Sequence, residues 1–144
     1  MTRRPTTSRT RAGVGVVVRS SDGLVLVGRR RAEPGQALAV PGGKLEGGET
    51  VEECAVRELR EETGLVLAAG DVRTFDCVLV AGEPTSWLVA GVEGRIGTAA
   101  AKAEPRELEP DKFGSFAWID PTDPPEGLFP ATAALLARLD GATA

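Results

Sequence analysis

The chain has 144 residues, 42% of them hydrophobic, with 17 basic and 21 acidic side chains, no histidine and a formal net charge of −4. That length predicts a single domain with a core of its own, and no apolar run approaches the ~18 residues that a membrane helix needs. The acidic balance argues against a dedicated nucleic-acid binder, and the lack of histidine excludes Ser-His-Asp, Cys-His and His-ligated zinc chemistry.

Residues 1–11 are rich in Arg, Thr and Ser and lack the apolar stretch of a secretory signal. They read as a disordered basic tail ahead of one domain over residues 12–140, with the cytoplasm as the expected compartment. Cys54 and Cys77 show no metal-ligand spacing and are expected as free thiols. The β-branched run at 14–19 predicts a strand, Ser20-Ser21-Asp22-Gly23 a turn, and 24–29 the return strand of a hairpin. Arg29-Arg30-Arg31 closes it, and strand alternation sets Arg30 on one side with Arg29 and Arg31 on the other. A short strand over 37–40 leads into Pro41-Gly42-Gly43-Lys44-Leu45-Glu46-Gly47-Gly48-Glu49, a loop with four glycines.

A helix follows over 50–63. Thr50 is its N-cap, Glu52 and Glu53 lie in the first turn, and Gly64 suits the position past its end. Residues 72–80 and 86–92 read as a second hairpin, 97–112 as a surface loop, 115–119 as a strand, 120–125 as a proline-rich turn, and 130–139 as a second helix. Strands outnumber helices, which predicts an α/β fold with helices packed on the faces of a mixed sheet.

Projected at about 100° per residue, Val51, Ala55, Leu59 and Val56 form the apolar arc of the first helix. Glu58, Glu61 and Glu62 occupy the neighbouring arc with Cys54 among them, and Glu53 and Arg60 point away. Acids at this spacing repel by roughly 0.2–0.5 kcal/mol per pair. A chain that keeps them needs a counter-charge, and hard divalent cations favour carboxylate oxygens. Glu/Arg-rich helices are commonly solvated faces laced with ion pairs. Here the acids border the buried face, and the glycines in front of them let a phosphate or metal approach the backbone. Lys44, just after Gly42-Gly43, can reach a phosphate as a point charge. Arg30 is a second such candidate, with a solvated face as its alternative.

Gly43, Glu49 and Arg57-Glu58-Leu59-Arg60-Glu61-Glu62-Thr63-Gly64-Leu65 together resemble a complete Nudix box. The flanks, residues 11–18, Val40-Pro41-Gly42-Gly43-Lys44, Glu109-Pro110-Asp111-Lys112 through Trp118, and Gly127-Leu128-Phe129-Pro130, are similar to the MutT-like, nucleoside-triphosphate-cleaving branch. The resemblance covers residues 11–139. It implies a Nudix-type α/β/α sandwich with a mixed β-sheet. It also implies a Mg²⁺-dependent enzyme, with Mn²⁺ as an alternative ion, that converts a (deoxy)nucleoside triphosphate to monophosphate and pyrophosphate.

The same box serves hydrolases of ADP-ribose and of other nucleoside diphosphate derivatives. The absence of tyrosine speaks against dinucleoside polyphosphates, and Pro84 falls a little late for the ADP-ribose spacing. A non-catalytic nucleotide-sensing Nudix module is the reading from another class, and an intact box favours an enzyme over it.

By the same resemblance, Glu58, Glu61, Glu62 and the Gly42 carbonyl hold the metal. Glu58 is the first choice for the base, with pure ligation the alternative. Arg57 holds the loop by pairing with Glu49. Lys44 and Arg30 take phosphates. Phe129 either stacks on a nucleobase or packs in the core, and Phe113, Phe116, Trp87 and Trp118 are core or pocket wall. The branch often carries a further acid shortly before Trp118. Gly114 stands there, which leaves Asp111 or Glu109 as substitutes and the number of metals open. The expected partner is a nucleotide, with neither nucleic acid nor membrane. A homodimer, frequent in the family, is compatible with the chain, although no feature demands one.

Overall fold

Valines interleaved with glycines build the strand on which the molecule is assembled, β1 (Arg9–Arg19). In the computed structural model, which describes residues 8–96 and 104–139, there follow β2 (Val25–Arg30), β3 (Leu38–Ala39), β4 (Gly42–Lys44) and α1 (Val51–Thr63). A 3₁₀ turn (Ala69–Asp71) leads to β5 (Val72–Val80), β6 (Thr85–Arg95), β7 (Phe113–Ile119) and α2 (Pro130–Leu136). The strands make one seven-stranded mixed sheet in the order β3-β2-β1-β6-β5, with β4 added on β1 and β7 on β2.

β1 and β6 run parallel, from Arg9 against Thr85 to Arg19 against Arg95. Because β6 fills one edge of β1, β2 and β4 must share the other. β2 meets β1 at Arg19 and Val25, whereas β4 pairs with residues 13–15 at the opposite end. The chain parts between these two contacts, and the candidate site is built at that parting.

Both faces of β1 are covered, as its near-continuous apolar run requires. Val14, Val16 and Val18 pack under α1 with Leu26, Ala55, Leu59 and Val92. Val17 faces the other way, with Val25, Val27, Val40 and Leu136. Leu135 of α2 closes a neighbouring cluster with Val78, Val89 and Ala131. This is the α/β/α arrangement expected from the sequence.

Seating α2 requires two glycines that face each other in the parallel ladder, Gly15 and Gly91. A Cβ on Gly15 would lie 2.6 Å from one Leu135 methyl, and a Cβ on Gly91 2.7 Å from the other and from the Phe75 ring. Gly91→Ala is therefore expected to destabilise the protein by about 1–3 kcal/mol through overpacking, read from chemical denaturation. Unchanged stability would remove this account of α2 docking.

The ends of α1 follow its sequence signals. Thr50 Oγ1 accepts from the Glu53 amide at 3.1 Å, Glu53 Oε1 accepts from the Thr50 amide at 2.8 Å, and Gly64 is left-handed with φ 77°.

Other expectations need correction. Residues 9–11, assigned to the tail, are strand, because residues 85–87 of β6 supply a parallel partner for their backbone whatever their side chains. Residues 1–7 lie outside the described residues. Part of the glycine-rich loop is the strand β4. The buried stripe of α1 is Cys54, Ala55, Leu59 and Thr63, whereas Val56 is only half-buried. Cys54 turns inward under the loop, where its thiol donates to the Lys44 carbonyl at 3.4 Å. β7 starts two residues before the expected position because Phe113 and Gly114 pair with Arg30 and Arg29. α2 ends at Leu136. Of the expected 97–112 loop, residues 97–103 lie outside the described residues. Among the described residues no helix is long and apolar enough to cross a membrane.

Candidate active site

The floor of the site is bare backbone. A Cβ on Gly42 would lie 2.1 Å from the Val14 carbonyl oxygen, and one on Gly43 would lie 1.3 Å from Glu58 Oε2. Only glycine lets β4 lie against β1 and lets the Glu58 carboxylate rest directly on the chain. One turn further along α1, Glu62 Oε1 accepts from the Gly42 N–H at 2.9 Å. Loop and helix are thus joined through two of the three carboxylates that the sequence singled out, Glu58 and Glu62. Glu61 turns outward, with its side chain 49% exposed, and accepts from Arg57 at 3.2 Å.

Arg57 is the hub of the loop. Its Nε and Nη2 donate to the two oxygens of Glu49 at 3.0 and 2.8 Å, its Nη2 to the Lys44 carbonyl at 3.2 Å, and its Nη1 to Glu58 at 3.2 Å. Such a forked, charge-assisted pair fixes orientation as well as charge. The Arg57 guanidinium, helped by the Glu46 amide, holds the Glu49 carboxyl down to about 2. Arg57→Ala is expected to lower kcat by about 10²-fold by letting loop and Glu58 drift, with Arg57→Lys recovering little because ammonium cannot fork. Steady-state kinetics with a melting curve would check this, and wild-type kcat in both variants would reduce the pair to a surface ion pair.

The acids nearest the floor are electrostatically unsettled. Burial, aided by the neighbouring Glu61 carboxyl, pushes Glu58 up to about 7. Burial raises Glu62 to about 8 against the pull of the Gly42 amide, and the charges of Glu58 and Glu109 add to the rise. Glu109 also acts on Glu58. Of the two acids expected from the loop before β7, Glu109 is half-buried and its charge acts on both carboxyls, while Asp111 is exposed.

As the side chains stand, no three acids among the described residues converge on one point. The donor set nevertheless fits a hard divalent cation. It is all oxygen, it is half-buried, and its ionised form is only partly offset, by Arg57 beside Glu58 and Glu61. Gly42 enters through its N–H, to Glu62.

Beside the acids opens a cavity of about 280 Å³. Glu62, Gly43, Lys44 and Arg30 line it along with apolar walls that include Trp87, Val89, Phe129 and Leu135. The Arg30 guanidinium lies 4.0 Å from the centroid of the Phe129 ring and is forked to Glu33, with Nε to Oε2 at 2.9 Å. Arg30 thus lines the cavity wall with its side chain 38% exposed, and it covers one face of Phe129. Arg29 and Arg31 go elsewhere, to the Gln36 carbonyl and to Glu107, as alternation predicts. Phe113 is buried and also lines the cavity, whereas Phe116 and Trp118 pack against the core beneath α1. The sequence reading missed Glu33, for which Arg30-x-x-Glu33 was the available signal. It also missed Arg11, which lies 5.6 Å from the Trp87 ring centroid and opposite Trp87 in the β1–β6 ladder.

The family model described as NUDIX domain matches residues 9–139. The RNA pyrophosphohydrolase of Gluconobacter oxydans is 26% identical over 132 residues, covering 81% of this chain and 75% of that protein. The 8-oxo-dGTP diphosphatase of Escherichia coli is 43% identical over 51 residues, which are 34% of this chain and 40% of that protein. Among solved structures, a MutT NUDIX hydrolase from Burkholderia pseudomallei superposes with a TM-score of 0.79 at 27% identity, covering 92% of this chain and 99% of that one.

Proposed function

Because this chain belongs to the Nudix family and is a hydrolase of the MutT-like type, we propose that its substrate is a (deoxy)nucleoside triphosphate, cleaved to monophosphate and pyrophosphate. The observation that carries this reading is the shared wall: the aromatic-lined cavity and the acidic cluster have Glu62 and the Gly43-Lys44 backbone in common. A base held in the cavity leaves its phosphates running over Gly43 and Lys44 toward Glu58 and Glu62. At about 280 Å³ the cavity is just below the roughly 300–1,000 Å³ of drug-sized ligand pockets, a size that supports a single nucleobase as its occupant.

Glu58, Glu62 and the Gly42 carbonyl, with Glu61 and Glu109 within reach of the same region, are the residues that would hold Mg²⁺ or Mn²⁺. When bound, that cation neutralises phosphate charge and makes water a better nucleophile. Glu58, lying over Gly43 and steadied by Arg57 Nη1, takes the proton of the attacking water through Oε2. The water oxygen bonds to phosphorus as the bridging P–O bond breaks, and the electron pair leaves with the departing phosphate oxygen. Lys44 and Arg30 offset charge on the phosphate oxygens. Arg30 is held in place for this by Glu33 and Phe129.

The test is a panel of nucleoside triphosphates, deoxynucleoside triphosphates and ADP-ribose, with Mg²⁺, with Mn²⁺ and with chelator, the products resolved by ³¹P NMR. Monophosphate and pyrophosphate from triphosphates, lost with chelator, is the expected result. Faster cleavage of ADP-ribose to AMP and ribose phosphate would overturn the choice of substrate.

A further inference from the structure

The segment ahead of β7 is tied down far more firmly than a surface loop requires. At its near end the Arg106 amide donates to the Thr63 carbonyl at 2.8 Å. The Arg106 guanidinium lies so close to Gly64 that a Cβ there would come within 2.8 Å of Nη2. Further on, Arg31 reaches across from the end of β2. Its Nη1 and Nη2 donate to the two oxygens of Glu107 at 2.8 and 2.9 Å, and then to the Pro110 carbonyl at 2.9 Å and Ser115 Oγ at 2.8 Å. The Arg31 amide donates to the Lys112 carbonyl at 2.8 Å. Glu107 Oε2 also accepts from the Ser115 amide at 2.8 Å.

The chain beside this fork has adapted to it. A Cβ on Gly114 would lie 2.6 Å from Arg31 Nη1 and 2.7 Å from Glu107 Cδ, and Ser115 has φ 52°, in the left-handed region. The carbonyl of Glu109, between the two clamped points, accepts from the Lys112 and Phe113 amides at 2.9 and 3.0 Å.

Glu109 is the residue this network holds, and electrostatics alone would not keep it where it is. Its carboxylate repels Glu58 and Glu62, and a free loop would relax it into water. We propose that the Arg31–Glu107 fork is a positioning device: it locks residues 107–110 so that the Glu109 carboxylate is presented to Glu58 and Glu62 and joins them in taking the divalent cation. This rests on the reading that the acidic cluster binds such a cation. Arg31 and Glu107 touch neither substrate nor cation. They act through Glu109, as residues behind a metal ligand do when they fix its orientation.

The experiment is an EPR titration of Mn²⁺ into nucleotide-free protein, with melting curves recorded in chelator. The proteins compared are the parent, Glu58→Gln, Glu109→Gln, Arg31→Ala, Glu107→Gln and the Arg31→Ala/Glu109→Gln pair. Arg31→Ala and Glu107→Gln are expected to weaken Mn²⁺ binding about 10-fold, as Glu109→Gln does, while each still melts cooperatively. The double variant should bind no more weakly than Glu109→Gln alone, since all act through one carboxylate. If Arg31→Ala fails to fold, Glu107→Gln, which keeps the side-chain shape, decides the matter.

Parent-like Mn²⁺ affinity in the clamp variants, or a further full loss in the double variant, overturns the positioning role while leaving the cation reading intact. No Mn²⁺ binding by the parent, or none lost in Glu58→Gln, removes the cation reading itself and the clamp's purpose with it.

Discussion

Replacing Glu58 or Glu62 with glutamine is expected to lower turnover by about 10²–10⁴-fold, while the metal-free protein becomes no less stable above neutral pH. The amide keeps the shape, and at position 62 its oxygen still accepts the Gly42 N–H. What it loses is the negative charge. Both carboxyls are pushed above their ordinary value of 4.5, to about 7 and about 8, so the folded chain holds protons that the unfolded chain has released. The stability of the metal-free parent therefore falls as pH climbs from about 4.5 through those values. At pH 8 each glutamine variant should melt at or above the parent, and at pH 5 the difference should close. Glu49 runs the opposite way: held down to about 2, it adds stability above its ordinary range and loses it as pH falls toward that value. Mg²⁺ should raise the parent's melting temperature more at pH 8 than at pH 5, where protons compete for the same oxygens. Steady-state rates and melting curves at both pH values test this. Parent-like rates in both variants would remove Glu58 and Glu62 from the chemistry.

The second large effect lies away from the site. Glu93 on β6 is buried, with 6% of its side chain exposed, and accepts from Arg19 Nε at 2.6 Å and Arg73 Nη2 at 3.0 Å. Arg19 is itself 11% exposed and lies at the end of β1, where the parallel ladder with β6 stops. Glu93→Ala takes this carboxylate from both arginines and is expected to cost about 3 kcal/mol, the lower end for a broken buried pair, because the exposed Arg73 can return to water. In a chain of this size that corresponds to a melting point lower by on the order of 10 °C, with kcat of the folded fraction unchanged. Thermal melts and active-site-normalised kinetics would show it. A shift within a degree or two would mean that the pair merely breaks even against hydration.

The parts of this molecule that could be read from the sequence are those governed by near neighbours. Thr50, Glu53 and Gly64 bracket α1 through contacts within a single turn, so the box helix and its border of acids were visible without coordinates. Most of the misreadings involve distant partners, although Glu33, three residues from Arg30, was missed at close range. Residues 9–11 are polar and carry no strand signal, yet β6 recruits them. Gly42 and Gly43 look like loop because nothing local shows that β1 will lie beside them. Cys54 and Val56 exchanged roles because projection locates an arc but cannot tell which side of it the loop will roof. Phe129 offered two readings, and the Arg30 guanidinium resting on it belongs to a strand far away in the chain. Glu109 and Asp111 are alike from their places in the chain, and only in the fold does one become half-buried while the other stays exposed.

The floor beneath Glu58 is braced in a way that sets the order of construction. β4 leans on β1, and β1 is held along its far edge by β6, a strand from the second half of the chain. On the ribosome the most recognisable stretch, residues 43–65, is finished long before its brace is synthesised. A cation meeting the nascent helix would find acids on a flexible peptide with nothing underneath. On the proposed reading of the acidic cluster, cation capture would therefore belong to the completed domain.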